Sequence, residues 1–167
     1  VDGRPVIMFP GLTSHGVLLN LAEPENRSDP HLTNWSTWTT NLSATTDFSS
    51  AWRTAAPGSE YLTVGHEGQL FRSADFRNWS AVPAPPLWPG GDCPDFFPLP
   101  RVCDGCAAAL AAQDGGAQQP THVFKHSLQG SVGDVYQLGV YDEPPPGNRS
   151  SGGAWTPTSG FIAADYA

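Results

Sequence analysis

The chain predicts an all-β fold of about three propeller-like blades, and three observations predict it. A unit of strand, hairpin, strand, acidic turn and tryptophan recurs along the sequence. Its spacing is that of a blade: Trp35 and Trp79 stand 44 residues apart, and strand-built repeats of ~40–50 residues mark propellers. Helical signal is scarce. Ala107–Gln113 has high helix propensity, but so short a run cannot hold a helix alone.

The first unit pairs the apolar runs Pro5–Phe9 and Val17–Leu21, then turns at Asp29 toward Asn34-Trp35-Ser36. The second pairs Glu60–Val64 with Gln69–Arg72, turns at Asp75 and reaches Asn78-Trp79-Ser80. The third pairs Thr121–Lys125 with Val135–Tyr141, ends at Asp142 and meets Trp155 after a Pro/Gly-rich insertion. Asp104-Gly105 and Asp114-Gly115-Gly116 bracket another insertion between blades. Propellers close with roughly 4–8 blades, and an open arc leaves two bare sheet edges. Residues 1–167 therefore read as one partial propeller domain, completed by further blades or by another chain.

A net charge of −8 over 167 residues argues against nucleic acid and anionic membranes as partners. No run approaches the ~20 apolar residues of a membrane-spanning helix. Five of the six asparagines open an Asn-x-Ser triplet: Asn26, Asn34, Asn41, Asn78 and Asn148. Chance does not place them so, and the chain reads as secretory, with these five as glycan acceptors. Cys103-Asp-Gly-Cys106 suits a short-range disulfide or an incidental loop pair. No second cysteine or histidine pair completes a zinc site. His122 and His126, four residues apart on one strand, stand ~13 Å apart and cannot share an ion. Neither a metal nor another cofactor is expected.

The densest chemistry lies in Gly91-Asp92-Cys93-Pro94-Asp95-Phe96-Phe97-Pro98. Two carboxylates and a thiol beside a proline and two aromatic rings read as a rigid turn opening on an aromatic-lined cleft, with an acid at its mouth. Glycoside hydrolysis needs a carboxylic acid so placed, to protonate the leaving sugar oxygen. An acidic loop packed on two phenylalanines is the plainer alternative.

This segment resembles the Trp-Glu-Cys-Pro-Asp-Phe-Phe-Pro signature of glycoside hydrolase family 32, the plant invertases and fructan hydrolases. The likeness extends through Val1–Ile7, Asn20–Pro24 with Ser28-Asp29-Pro30, Leu70–Trp79, His122–Lys125 and Val135–Asp142, in the family's order. It implies a five-bladed propeller with the active site at the end of the channel. It also implies hydrolysis of terminal β-fructofuranosyl bonds in sucrose or fructans. Asp92 takes the place of the family's acid/base glutamate, one C–C bond short, roughly 1.5 Å. A misplacement of about 1 Å costs on the order of 10²-fold in rate, or about 2.7 kcal/mol of barrier.

Aligning Ala51-Trp52 puts Asp47 at the family's transition-state stabiliser, although the flanking Arg and Pro are here Thr46 and Phe48; a plain turn residue is the other reading. The two carboxyls are expected to share one cleft near the channel axis. The family's nucleophile segment, with its Asn-Asp-Pro, does not occur in these 167 residues. Without it the double-displacement route has no covalent intermediate. Gln129 and Val132 stand where sucrose-specific members carry an Asp and a Lys. Trp88 and Cys93 are expected to contact the sugar. Pro94 after Cys93 resembles the cell-wall branch, so a secreted, cell-wall location is expected, with the vacuole as alternative. The chain as given is expected to be weak or inactive, and a non-catalytic propeller remnant binding fructosides or a protein is the competing reading.

Overall fold

The computed structural model describes residues 5–14, 16–26, 28–29, 31–43, 47–53, 60–88, 92–99, 119–128, 133–144 and 152–164. All regular structure among them is antiparallel β, in three sheets, with no helix among the described residues. The first sheet joins β1 (Ile7–Thr13), β2 (Gly16–Pro24) and β3 (Trp35–Ser43) in that order. The second runs β4 (Trp52–Arg53), β5 (Tyr61–Val64), β6 (Leu70–Ser73) and β7 (Ser80–Ala81). The third runs β8 (Asp92–Pro98), β9 (His122–Ser127), β10 (Asp134–Asp142) and β11 (Ala154–Pro157), and β12 (Ile162–Ala163) also pairs with β10. Each sheet is one blade.

The recurring tryptophan marks the outer strand of each blade. Trp35 opens β3, Trp79 stands just before β7, and Trp155 lies in β11. The acidic turn ahead of it works by side-chain capping, as short Asp-led turns do. Asp29 accepts the backbone N–H of His31 at 2.9 Å and of Thr33 at 3.0 Å. Asp75 accepts those of Arg77 and Asn78, both at 2.8 Å. These bonds, led by Asn78, hold the Asp75 carboxyl well below the usual carboxylate range.

Two cores fasten the three blades. Leu19, Leu21 and Leu42 of the first blade meet Tyr61, Phe76 and Trp79 of the second. Trp52, Leu62, Val64 and Leu70 of the second meet Phe96, Phe124 and Tyr141 of the third. Strand β5 sits between them and is buried at every position. Its alternation sends Leu62 and Val64 to one core and Tyr61 to the other. Phe96 is wholly buried and its ring meets Trp52, Trp88, His122, Tyr141 and Trp155 at centroid distances of 5.1–5.5 Å. Burying one such side chain contributes about 1.5–3 kcal/mol.

Residues 92–98, expected as a turn, form the inner strand of the third blade instead. The turn character survives as a bulge. Asp92 pairs with Ser127 and Asp95 with Lys125, so β8 spends one residue more than β9. Cys93 takes up the excess in the left-handed region, at φ 47°. Pro94 fits there because a bulge on an inner edge needs no ladder donor.

Candidate functional site

The inner strands of the second and third blades start at the same end of the arc. Phe48 bridges to Gly65, which carries residues 47–53 alongside β5 and sets Asp47 at the head of that blade's inner edge. Asp92 heads the inner edge of the next blade. Two carboxylates tie these edges together. Asp47 Oδ2 accepts the backbone N–H of Cys93 at 3.3 Å. Asp95 Oδ1 accepts both the N–H of Ser50 at 3.1 Å and its hydroxyl at 3.0 Å. Residues more than forty positions apart are thereby brought to one place.

Beside them opens a cleft of about 780 Å³, whose polar lining includes Asp47, Ser50, Cys93, Asp95 and Lys125. That volume suits a small ligand. The Cys93 thiol is pushed above its ordinary value, first by its hydrogen bond to Asp47, then by burial and by the Asp47 charge. It stays protonated at neutral pH. Lys125 Nζ pairs with Asp134 at 2.6 Å, and Ser127 Oγ donates to the other oxygen of Asp134 at 2.6 Å. This cluster braces β9 opposite the bulge. Asp92 does not line the cleft; its Oδ1 stands 3.6 Å from Nδ1 of His66, in the β5–β6 turn.

The structure thus brings Asp47, Asp92 and Cys93 together, but turns only Asp47 and Cys93 to the cleft. Trp88 is a correction. It is buried and stacked on Phe124 at a centroid distance of 3.9 Å, so its ring has no face for a sugar. Its Pro/Gly-rich surroundings suggest an exposed turn, but Gly68 brings that segment back onto the blade, with Leu87 N–H bonded to Gly68 O at 2.9 Å. His122 is buried against Phe96 and His126 stacks on Phe124. No group of three or more metal-ligating side chains occurs among the described residues.

Asn26, Asn34, Asn41 and Asn78 all lie in described segments. Asn148, Cys103, Cys106, Gln129 and Val132 lie outside the described residues. Asp95, His66 and the Lys125–Asp134–Ser127 cluster carry site geometry that the motif reading left aside. The pairing of an acidic strand segment with a Lys-containing one was the available signal.

This arrangement, three antiparallel sheets packed as successive blades with a small cleft beside two of their inner edges, is that of a β-propeller. The same fold appears in the crystal structure of fructan 1-exohydrolase IIa from Cichorium intybus, at a TM-score of 0.62 and 23% identity, covering 95% of this chain and 31% of that one. A variant of the chicory enzyme in complex with 1-kestose matches at a TM-score of 0.56 and 22% identity, over the same shares of the two chains. An insoluble β-fructofuranosidase isoenzyme of Arabidopsis thaliana is 29% identical over 189 residues, covering 99% of this chain and 31% of that protein. Fructan 1-exohydrolase of Hordeum vulgare is 32% identical over 168 residues, covering 84% of this chain and 26% of that protein. An insoluble β-fructofuranosidase of Oryza sativa subsp. indica is 34% identical over 170 residues, covering 84% of this chain and 28% of that protein. No family model matches the chain. The chain is similar to the plant invertases and fructan exohydrolases of glycoside hydrolase family 32, and spans less than a third of the length of these relatives.

Proposed function

We propose that the whole protein hydrolyses terminal β-fructofuranosyl bonds in sucrose or fructans, and that this chain supplies two of its working carboxyl groups. Asp92 stands at the acid/base position, giving its proton to the leaving oxygen. Asp47 stands at the position that stabilises the charge developing on the fructosyl ring. The nucleophile would come from a blade outside this chain, forming a fructosyl-enzyme that water then cleaves, with Asp92 as base. The reading rests on one observation above others: the bond from Cys93 N–H to Asp47 Oδ2 joins the two inner strand heads across a 46-residue separation. The names of the relatives supply the substrate class, and the acceptor triplets support secretion, to the cell wall or alternatively the vacuole.

By itself the chain has no nucleophile, a shortened acid and no charge pair after Leu128 to grip sucrose. We infer that it does not turn over alone. A non-catalytic remnant that binds fructosides is the second reading, favoured by Asp92 facing His66 instead of the cleft. Fructose release from sucrose and a β-2,1 fructan at about pH 5 tests the chain against its Asp92→Asn variant. No release is expected from either. Turnover that disappears in the variant would show a working enzyme and a misplaced nucleophile.

A further inference from the structure

Asn41 opens one of the five acceptor triplets, yet its side-chain amide is engaged at both ends. Nδ2 donates to the backbone oxygen of Trp79 at 2.9 Å, and Oδ1 accepts the backbone N–H of the same residue at 2.8 Å. The amide behaves like one more residue of a β ladder. It runs from β3 of the first blade to the threshold of β7 of the second, across 38 residues of sequence. It lies above the core that holds these blades together, next to buried Leu42 and Trp79. Beside it Arg77 covers the Trp38 ring at 4.7 Å.

We propose that Asn41 is an interblade clip and stays without a glycan, so that the chain's glycans sit on Asn26, Asn34 or Asn78 among the described triplets. The reason is the geometry of a secondary amide. To give and accept at one backbone residue, Asn41 must use the Nδ2 hydrogen that lies on the same side as Oδ1. When a sugar is attached to an asparagine nitrogen, its first carbon takes that position, because the substituent of a secondary amide lies on the oxygen side. The reverse arrangement is disfavoured by roughly two orders of magnitude. Sugar and clip therefore compete for one site, and a chain glycosylated there loses this hydrogen-bonded link between the first two blades.

The other triplets among the described residues make no such demand. Among the described residues the Asn26 side chain bonds through Oδ1 alone, accepting the N–H of Ser28 at 3.0 Å. The Asn78 side-chain amide makes one donation among the described residues, to Asp75 Oδ2 at 2.7 Å, at an exposed turn. Asn34 is exposed and its backbone oxygen, not its amide, takes the N–H of Glu25.

The inference uses the secretory reading above only for the glycans; the clip stands on geometry. Two measurements test it. Peptide mapping of the protein secreted from plant cells should find Asn41 bare and glycan on at least one of Asn26, Asn34 and Asn78. Folded, soluble protein glycosylated at Asn41 would overturn the proposal. In unglycosylated protein, Asn41→Asp keeps the acceptor but sets an oxygen against Trp79 O. It should lower Tm by about 3–6 °C and speed amide exchange at Trp79 by about tenfold or more, while Asn34→Asp changes neither. An unaltered Trp79 exchange rate in a folded Asn41→Asp protein would overturn the clip. Protein bare at every triplet would count against the secretory reading alone, and the exchange measurement would still decide the clip.

Discussion

Lowering the pH should loosen the contact between the second and third blades through one buried histidine. His122 is 4% exposed and lies face to face with Phe96 at a centroid distance of 5.1 Å, edge-on to Trp52 and Tyr141. Its Nδ1 meets Thr121 Oγ1 at 3.0 Å, and its Nε2 has no hydrogen-bond partner among the described residues. Burial disfavours the imidazolium and brings its pKa down from 6.5 to about 4. The unfolded chain binds a proton near pH 6.5, where the folded one does not. Stability is therefore full above that pH and falls as the pH drops toward 4, at about 1.4 kcal/mol per unit. With partial relaxation toward solvent the total loss is about 2–3 kcal/mol. Urea titrations at steps between pH 7.5 and about 4, on the native protein and on His122→Phe, read this directly. The phenyl ring keeps the stack and removes the titration, so the variant should lose about 2–3 kcal/mol less over the window. Equal pH slopes in the two proteins would refute the reasoning.

Three further outcomes follow from the packing and the site. Phe96→Ala removes the ring on which five aromatic neighbours converge and should cost about 3–5 kcal/mol in urea unfolding. A cost under about 1 kcal/mol would mean that the blades are not fastened there. Gly139→Ala places a methyl 2.5 Å from the Trp155 ring and 2.6 Å from Thr156 O, and should cost about 1–3 kcal/mol by overpacking, seen as a lower Tm. Asp47→Asn removes the charge, and leaves only a weaker neutral acceptor, where Asp47 now holds the Cys93 thiol protonated, so alkylation of the Cys93 peptide near pH 8 should speed up by about 3- to 10-fold.

The blade repeat was legible because its punctuation is chemical. An Asp that caps its own turn and a tryptophan at the outer strand show in any sequence. Several strands were not. β4 is two residues long, and β8 hides a strand behind a Cys-Pro pair whose bulge reads as a turn. β3, Trp-Ser-Thr-Trp-Thr-Thr-Asn-Leu-Ser, has too few apolar positions for alternation to show, since half of it faces solvent. Trp88 misled for a related reason. Its proline-rich neighbours are loop residues, but burial of an indole is decided by what the loop folds onto, here the Gly68 turn and Phe124. Asp47 and Asp92 stand out only through the likeness of their motifs. Their neighbourhood needed the fold, because the register of one blade against the next is written in tertiary packing.

The most direct measurement is fructose release from 1-kestose by the whole protein and by the 167-residue chain, side by side, each with and without Asp92→Asn. The account predicts release by the whole protein, a fall of about 10²-fold or more in its Asp92→Asn variant, and none from the chain. A whole protein whose rate is indifferent to Asp92→Asn, or a chain that releases fructose by itself, would contradict it.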